Sequence, residues 1–359
     1  MTRILPFFLI IFITINAEAN SLKVTCKPPA IFIYGDSYVD AGNNNYINTS
    51  TLDQANFPPY GETYFKNSTG RFSDGRIIPD FLAQLAGLKD LVPVYLDKTR
   101  TIDQNYNGAN FASAVAGALP TTLPGFAISL QAQLQNYKTE VGELNKRLGP
   151  NEARKISSTA VHYIAFGATD YIIPIELNST IFDHRQYVNM VIGNLSTIVE
   201  AIYNQGGRKF VLQNVLDLGC SPGLKIYNVE RDVECLKNAS DLVYLHNEAL
   251  DKLVSEKARL LSGSEIFLFD LRTTVSERTA NPGNYGFKDG GSACCGSGRF
   301  NGEFSCGGKR PIKEFSLCPK PSEYVFWDSF HLTEHAYGQI TSQIWNKPDG
   351  RLKGLFACL

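Results

Sequence analysis

The sequence predicts an α/β fold in which helices cover both faces of a mostly parallel sheet, a doubly wound α/β/α sandwich. Short apolar runs typical of buried strands recur along the chain, and segments with helical spacing of apolar residues separate them. Strands that alternate with helices favour parallel pairing, because a crossover helix returns the chain to the same end of the sheet. With 359 residues, 43% hydrophobic and 19% charged, the chain can build one large core.

The elements follow in order along the chain. Residues 30–34 form an apolar run that ends at Gly35-Asp36, which predicts a buried strand feeding a turn. The other strands are predicted at 160–166, 210–215 and 266–269, and helices at 78–86, 128–148, 187–204, 233–255 and 333–345. Residues 281–318, rich in Gly and Cys, interrupt the alternation and are interpreted as a disulfide-pinned loop region within the same domain.

The first 19 residues have the pattern of a secretory signal peptide. A basic residue at Arg3 precedes an apolar run over residues 4–15, and Ala17-Glu18-Ala19 follows as a small-x-small cleavage site. The run is too short to span a bilayer, and no later apolar run is longer. We therefore expect a secreted protein whose residues 20–359 form a single domain without a membrane span.

Sequons and cysteines agree with an oxidising secretory route. The five N-glycosylation sequons lie at Asn48, Asn67, Asn178, Asn194 and Asn238. The eight cysteines lie at positions 26, 220, 235, 294, 295, 306, 318 and 358, and their even number predicts disulfides of undetermined connectivity. A zinc site is the weaker interpretation, since the spacing is not C-x-x-C and no histidine lies within the cluster.

Two short motifs contain the residue types of a serine hydrolase. Ser37 follows the first predicted strand, on a tight turn that can expose its hydroxyl. Asp328 precedes His331 by three residues, a spacing that predicts neighbouring positions on one helical turn, where the carboxylate can orient the imidazole. Taken singly, the first motif is equally typical of a plain turn and the second of a helix cap. Of the remaining histidines, His162 is predicted to lie in the core, and the others at the surface: His184, His246 and His335.

The charge balance and composition exclude several other classes of function. The formal net charge is −1, which does not favour binding to nucleic acid or to an acidic membrane surface. No pattern predicts a cofactor or a metal site. The sequence does not indicate an oligomeric state.

Several blocks together resemble one family. They are residues 35–45 (GDSYVDAGNNN), 56–61 (NFPPYG), 70–76 (GRFSDGR), 110–113 (NFAS), 294–296 (CCG) and 326–334 (FWDSFHLTE). In this order they resemble the plant GDSL lipase/esterases of the SGNH hydrolase superfamily, over nearly the whole chain after residue 20. The resemblance implies a doubly wound α/β/α domain and ester chemistry. It also implies Ser37 as nucleophile, His331 as base and Asp328 as the residue that orients it.

Two positions depart from that family's pattern. Where the family usually has the Asn of Gly-x-Asn-Asp, this sequence has Thr169, and an expected glycine is replaced by Val115, with Gly117 two residues later. The expected oxyanion donors are then the N–H groups of Ser37 and Val115 and, less strongly, Thr169. Valine resists a positive φ, so a shifted loop is expected at position 115.

Three functions follow from this pattern, in descending order. The first is a secreted serine carboxylester hydrolase, an esterase or lipase, that acts on a small-molecule or lipid ester through an acyl-enzyme on Ser37. The second is an acyltransferase that passes the acyl group to an acceptor alcohol. The third is a catalytically impaired protein that binds a ligand or partner in the same cleft. The intact Ser, Asp and His favour the first two functions, whereas Val115 and Thr169 favour the third.

Overall fold

A five-stranded parallel sheet forms the centre of the molecule, in a computed structural model that describes residues 28–103, 106–179, 183–228 and 235–357. Its strands are β1 (Ile31–Gly35), β2 (Gly108–Asn110), β3 (Val161–Ala165), β4 (Lys209–Gln213) and β5 (Glu265–Phe269), and their spatial order is β2-β1-β3-β4-β5. The order reverses direction at β1, so the end of β1 is the switch point at which ligands bind in such sheets. The predicted α/β class and the four predicted strands are confirmed.

Helices cover both faces of this sheet. They are α1 (Ile78–Leu85), α2 (Leu130–Leu148), α3 (Pro150–Thr159), α4 (Ala168–Glu176), α5 (His184–Asn204), α6 (Pro222–Lys225), α7 (Lys237–Leu260), α8 (Leu271–Ala280), α9 (Glu334–Trp345) and α10 (Arg351–Leu355). Among them, α1, α8, α9 and α10 contact one another, whereas α2, α3, α4, α5 and α7 form a second group of contacts. Two such layers are what right-handed crossovers on either side of β1 produce.

Local signals explain where several helices begin and end. The side chains of Ser129, Asp183 and Thr333 cap α2, α5 and α9 by accepting a backbone N–H two or three residues past the helix start. α7 differs from its predicted range of 233–255: it begins at Lys237, just after Cys235, which a disulfide ties to Cys220. It then runs on to residue 260.

Five of the helices in the described residues, α3, α4, α6, α8 and α10, and one central strand have no counterpart in the sequence predictions. α3 begins at Pro150, directly after the Gly149 that ends α2, so the two helices occupy one helical stretch of sequence. α4 contains β-branched residues and Pro174, which disfavour a helix locally. β2 is only three residues long and lacks an apolar run. In each case tertiary packing outweighs a weak local signal.

The Gly- and Cys-rich region forms small irregular sheets pinned by disulfides, as predicted. Its strands are β6 (Asp289–Ala293), β7 (Cys295–Gly296), β8 (Ser316–Leu317) and β9 (Tyr324–Phe326). The bridges within the described residues are Cys220–Cys235, Cys294–Cys318 and Cys295–Cys306, so the four clustered cysteines form disulfides, not a zinc site. The predicted signal peptide, Cys26 and Cys358 lie outside the described residues.

The predicted surface position of His246 is wrong. His246 is fully buried in α7 and its Nδ1 lies 2.7 Å from the Tyr171 hydroxyl. His162 lies in the core as predicted. Burial lowers the pKa of both rings to about 3, so they are neutral at physiological pH.

No helix among the described residues combines the length and apolar character that crossing a membrane requires.

Candidate active site

Ser37 lies in the turn that follows β1, at the carboxyl end of the sheet. The turn packs on the neighbouring strand, where the Asp36 N–H donates to the Ala165 carbonyl oxygen at 3.2 Å. A Cβ at position 35 would lie 2.4 Å from that oxygen, so this close approach requires Gly35. The strand and the turn therefore hold the half-buried serine hydroxyl at the switch point of the sheet.

Asp328 and His331 lie in the connection between β9 and α9. Asp328 Oδ1 accepts hydrogen bonds from His331 Nδ1 at 2.8 Å, from the His331 backbone N–H at 2.9 Å and from the Phe330 N–H at 3.0 Å. The expectation that the pair lies on one helical turn is wrong, because the carboxylate closes a tight turn and α9 begins only at Glu334.

The two motifs meet at the serine. His331 Nε2 lies 2.8 Å from Ser37 Oγ, although the residues are far apart in sequence. Since Asp328 accepts the Nδ1 proton, Nε2 is left to accept the serine proton. The structure thus brings together the three side chains that the sequence predicted, in the arrangement of a Ser-His-Asp triad.

The Asp328 carboxyl is buried and yet ionised. Burial alone raises its pKa, but the charge of His331, the hydrogen bond from His331 and the charge of Arg310 together hold the pKa well below its usual range. A carboxylate that stays charged in the interior stabilises positive charge on His331 when that ring takes up a proton.

Val115 occupies a backbone conformation that favours glycine. Its φ is +58°, so the loop has not shifted away from the left-handed region. Within the described part of the chain, the N–H groups of Val115 and Ser37 make no hydrogen bond and stay available as donors. Thr169 lies in the first turn of α4 and lines the same cavity, and its hydroxyl likewise makes no hydrogen bond to a described residue. The three residues expected to supply oxyanion donors therefore line the same cavity.

Asp170, beside Thr169, ties α4 to the loop that carries Val115. Its carboxylate accepts the Ala118 N–H at 2.8 Å, the Leu119 N–H at 3.1 Å and the Thr122 hydroxyl at 2.6 Å. Burial raises the pKa of Asp170 to about 6 in spite of these bonds. A Cβ on Gly117 would lie 2.5 Å from Asp170 Oδ1, which explains why glycine is kept there.

The polar residues after Ser37 hold the other side of that loop. Asp40 Oδ2 accepts the Ala114 N–H at 3.0 Å, Asn43 Nδ2 donates to the Ala112 carbonyl at 2.8 Å, and Asn44 Nδ2 donates to the Ala114 carbonyl at 3.1 Å. In the sequence these residues belong to the block 35–45 and had no predicted role of their own. Their polar character, so close after the serine, was the available signal for this role.

A cavity of about 360 Å³ opens beside Ser37 Oγ. Its lining is mostly apolar and comes from Tyr38, Leu52, Phe72, Val115, Leu123, Phe126, Ile172, Ile173, Leu177, Phe304 and Phe330, with His331, Thr169, Ser50, Asp53 and Glu176 as polar members. A space of this size and character suits an apolar group of a small molecule.

The predicted glycosylation sites are mostly accessible. Exposed side chains belong to Asn48, Asn67, Asn178 and Asn238. Asn194 is half-buried in α5, where its Nδ2 donates to the Met190 carbonyl at 2.9 Å. An attached glycan at Asn194 would replace one of the two hydrogens of this half-buried amide.

Comparison with known proteins agrees with this geometry. Residues 31–344 match the family model described as GDSL-like Lipase/Acylhydrolase. "GDSL esterase/lipase 5" of Arabidopsis thaliana is 48% identical over 318 residues, 88% of this chain and 82% of that protein. "GDSL lipase" of Tanacetum cinerariifolium is 43% identical over 317 residues, 88% of this chain and 83% of that protein.

A more distant relative carries a different description. "Inactive GDSL esterase/lipase-like protein 25" of Arabidopsis thaliana is 35% identical over 319 residues, 88% of this chain and 70% of that protein. The family match nevertheless extends over most of the described residues. This chain also aligns with more than four fifths of the length of each of the two more similar relatives. This chain therefore belongs to the GDSL-like lipase/acylhydrolase family.

Proposed function

We propose that the protein hydrolyses carboxylic esters, with Ser37 as nucleophile, His331 as general base and Asp328 as the residue that orients the imidazole. The observation that carries the proposal is the continuous pair of hydrogen bonds from Ser37 Oγ to His331 Nε2 and from His331 Nδ1 to Asp328 Oδ1, each 2.8 Å long. The two other buried histidines are unsuited to this role, because burial lowers the pKa of each ring to about 3, which makes it a weak base, and their Nδ1 atoms bond to Tyr34 and Tyr171 instead.

The reaction then has two halves. Ser37 Oγ attacks the acyl carbon while its proton passes to His331 Nε2, and the ester C–O bond breaks as that proton moves to the leaving alcohol. Water repeats the sequence on the acyl-enzyme, with His331 again taking the proton, and releases the acid. The N–H groups of Ser37 and Val115 and the Thr169 hydroxyl would stabilise the tetrahedral oxyanion, each such donor being worth about 2.7–4 kcal/mol.

The cavity supports an ester with an apolar acyl group as substrate. Aliphatic and aromatic side chains line most of the space beside Ser37. The names of the relatives, an esterase/lipase and a lipase, agree with this substrate class.

Acyl transfer is the second candidate. The apolar lining favours it, because an apolar alcohol would enter the cavity more readily than water does. In that reaction the alcohol oxygen attacks the acyl-enzyme in place of water, and His331 takes its proton. A binding role without catalysis is the third candidate, to which the relative described as inactive gives weight.

One set of measurements separates the three. Purified protein is incubated with a p-nitrophenyl ester series of increasing acyl length, with and without an aliphatic alcohol. We expect release of free acid, and loss of all turnover in Ser37→Ala, with Ser158→Ala on α3 as a control that keeps full activity.

A fluorophosphonate should label Ser37 stoichiometrically; a label on another serine would contradict the assignment. New ester without free acid would favour transfer, and no turnover or label would favour binding alone.

We also propose that the chain enters the secretory pathway, loses residues 1–19 and carries N-glycans, residues 20–359 forming one catalytic domain. The signal-like pattern at the start of the sequence, the three disulfides and the exposed sequons support this.

A further inference from the structure

The second oxygen of the Asp328 carboxylate has its own partner. While Oδ1 accepts the bonds from His331 and from the turn, Oδ2 accepts the hydroxyl of Tyr60 at 2.7 Å. Tyr60 lies far away in sequence, in the 56–61 block, and its side chain is only 1% exposed. A buried carboxylate held at both oxygens cannot rotate about its Cβ–Cγ bond without losing a hydrogen bond.

Arg310 decides the direction of that hydrogen bond. Its Nη1 lies 2.9 Å from Tyr60 Oη. A guanidinium has no acceptor, so the tyrosine oxygen must accept from Arg310 and keep its own proton for Asp328 Oδ2. The chain Arg310–Tyr60–Asp328–His331–Ser37 therefore has every donor pointing toward the carboxylate.

Arg310 is itself an unusual group in this interior. It is fully buried, and among the described residues no carboxylate forms an ion pair with it. Its Nη groups donate to the carbonyls of Cys306 at 3.0 Å and Gln54 at 3.1 Å, and its guanidinium lies 3.8 Å from the centre of the Phe304 ring. A buried cation is costly without a compensating anion. The Asp328 carboxylate, which is linked to Arg310 through the Tyr60 hydroxyl, supplies the compensating negative charge.

We propose that Tyr60 and Arg310 are positioning residues of the triad. Tyr60 fixes the plane of the Asp328 carboxylate so that Oδ1 faces His331 Nδ1, and Arg310 orients Tyr60 and balances the buried charge. Neither side chain touches the reacting atoms, so both act through Asp328. This inference rests on the proposed function of Ser37, Asp328 and His331.

Tyr60→Phe tests the role because it removes one hydroxyl and keeps the ring. We expect kcat to fall about 10- to 100-fold with little change in KM, which is less than the roughly 10⁴-fold loss known when a triad carboxylate is made an amide. Arg310→Lys, which keeps the charge, should retain more activity than Arg310→Met. Thermal unfolding identifies any variant that fails to fold.

Tyr106→Phe is the matched control. Its hydroxyl is also buried and donates to a carboxylate, that of Glu140, at 2.8 Å, and an arginine, Arg100, is bonded to the same group. That cluster does not line the cavity. We expect kcat in Tyr106→Phe to stay within about twofold of the parent value. An equal loss of kcat in Tyr60→Phe and Tyr106→Phe, or no loss in Tyr60→Phe, would overturn the proposal.

A spectroscopic measurement separates this inference from the proposed function. The ¹⁵N resonances of the His331 ring, assigned by comparison with His331→Gln, report which nitrogen carries the proton. Tyr60→Phe should move them toward the Nε2–H tautomer, whereas Tyr106→Phe should not. If the parent protein neither turns over esters nor accepts the fluorophosphonate, the proposed function fails while this readout still decides the role of Tyr60. Unchanged His331 resonances in Tyr60→Phe would refute it.

Discussion

At the scale of single residues, the two departures from the family pattern, Val115 and Thr169, differ in what they change: one alters the backbone conformation and the other the side-chain donor. Val115 keeps a φ of +58°, a conformation that costs an L-residue about 1–2 kcal/mol, and its N–H makes no hydrogen bond to any residue that the structure describes. The backbone donor expected from a glycine is thus retained, at the expense of local strain. At position 169 a short hydroxyl side chain stands where the family has a longer amide, so we expect any difference in oxyanion binding to arise from this side chain.

We therefore predict that Thr169→Asn accelerates hydrolysis of a simple activated ester, by up to about 100-fold if the added amide reaches the oxyanion. Val115→Gly is the matched comparison. It should change kcat/KM less than threefold, because the N–H that it would free is already available. Steady-state kinetics on both variants, with unfolding curves to confirm the fold, measure this. A larger gain from Val115→Gly than from Thr169→Asn would show that the strained loop, not the side chain, limits the reaction.

At the scale of elements, the disulfide-pinned region contributes to the active site as well as to stability. Phe304 lines the cavity, and Arg310 reaches Asp328 through Tyr60. Phe304 lies inside the loop that the Cys295–Cys306 bridge closes, and Arg310 follows it, with the carbonyl of Cys306 accepting a hydrogen bond from Arg310. The bridge thus anchors the segment from which these side chains extend. By contrast, the Cys220–Cys235 bridge joins the chain before α6 to the start of α7.

We predict different effects on activity when the two bridges are removed by paired Cys→Ala changes. They close loops of 11 and 15 residues, so loop entropy makes each worth about 3 kcal/mol of stability. At a temperature where both variants are folded, the one lacking Cys295–Cys306 should lose about 10-fold in kcat, and the one lacking Cys220–Cys235 less than about twofold. Equal losses of kcat at equal stability would contradict a specific role for the first bridge.

At the scale of the whole molecule, the architecture collects distant segments at one edge of the sheet. The turn after β1 contributes Ser37, and the loop after β2 contributes Val115. Thr169 lies in α4, which follows β3, and the segment before α9 contributes Asp328 and His331. The described residues also contain exposed sequons and three disulfides, which are features of proteins that fold in an oxidising compartment.

The compartment is tested on the protein from its natural source. We expect the mature chain to begin near Asn20 and to shift to lower apparent mass after treatment with an N-glycosidase. Mass spectrometry of the released peptides should find glycans at Asn48, Asn67, Asn178 and Asn238 more fully than at Asn194, whose side chain is half-buried in α5 whereas the other four are exposed. An unglycosylated chain that starts at Met1 would refute secretion.

The sequence by itself determined what depends on short stretches of chain. Apolar runs and helical spacing predicted the α/β class and four of the five central strands, and the motif blocks around Ser37 and His331 predicted the triad residues through their resemblance to a known family. Only the tertiary structure decided that His246 is buried, that Asp170 holds the Val115 loop, and that Arg310 and Tyr60 support Asp328. Local periodicity reports which way a side chain faces within its own element, whereas these contacts join residues far apart in sequence, and their pairing is set by how the elements pack.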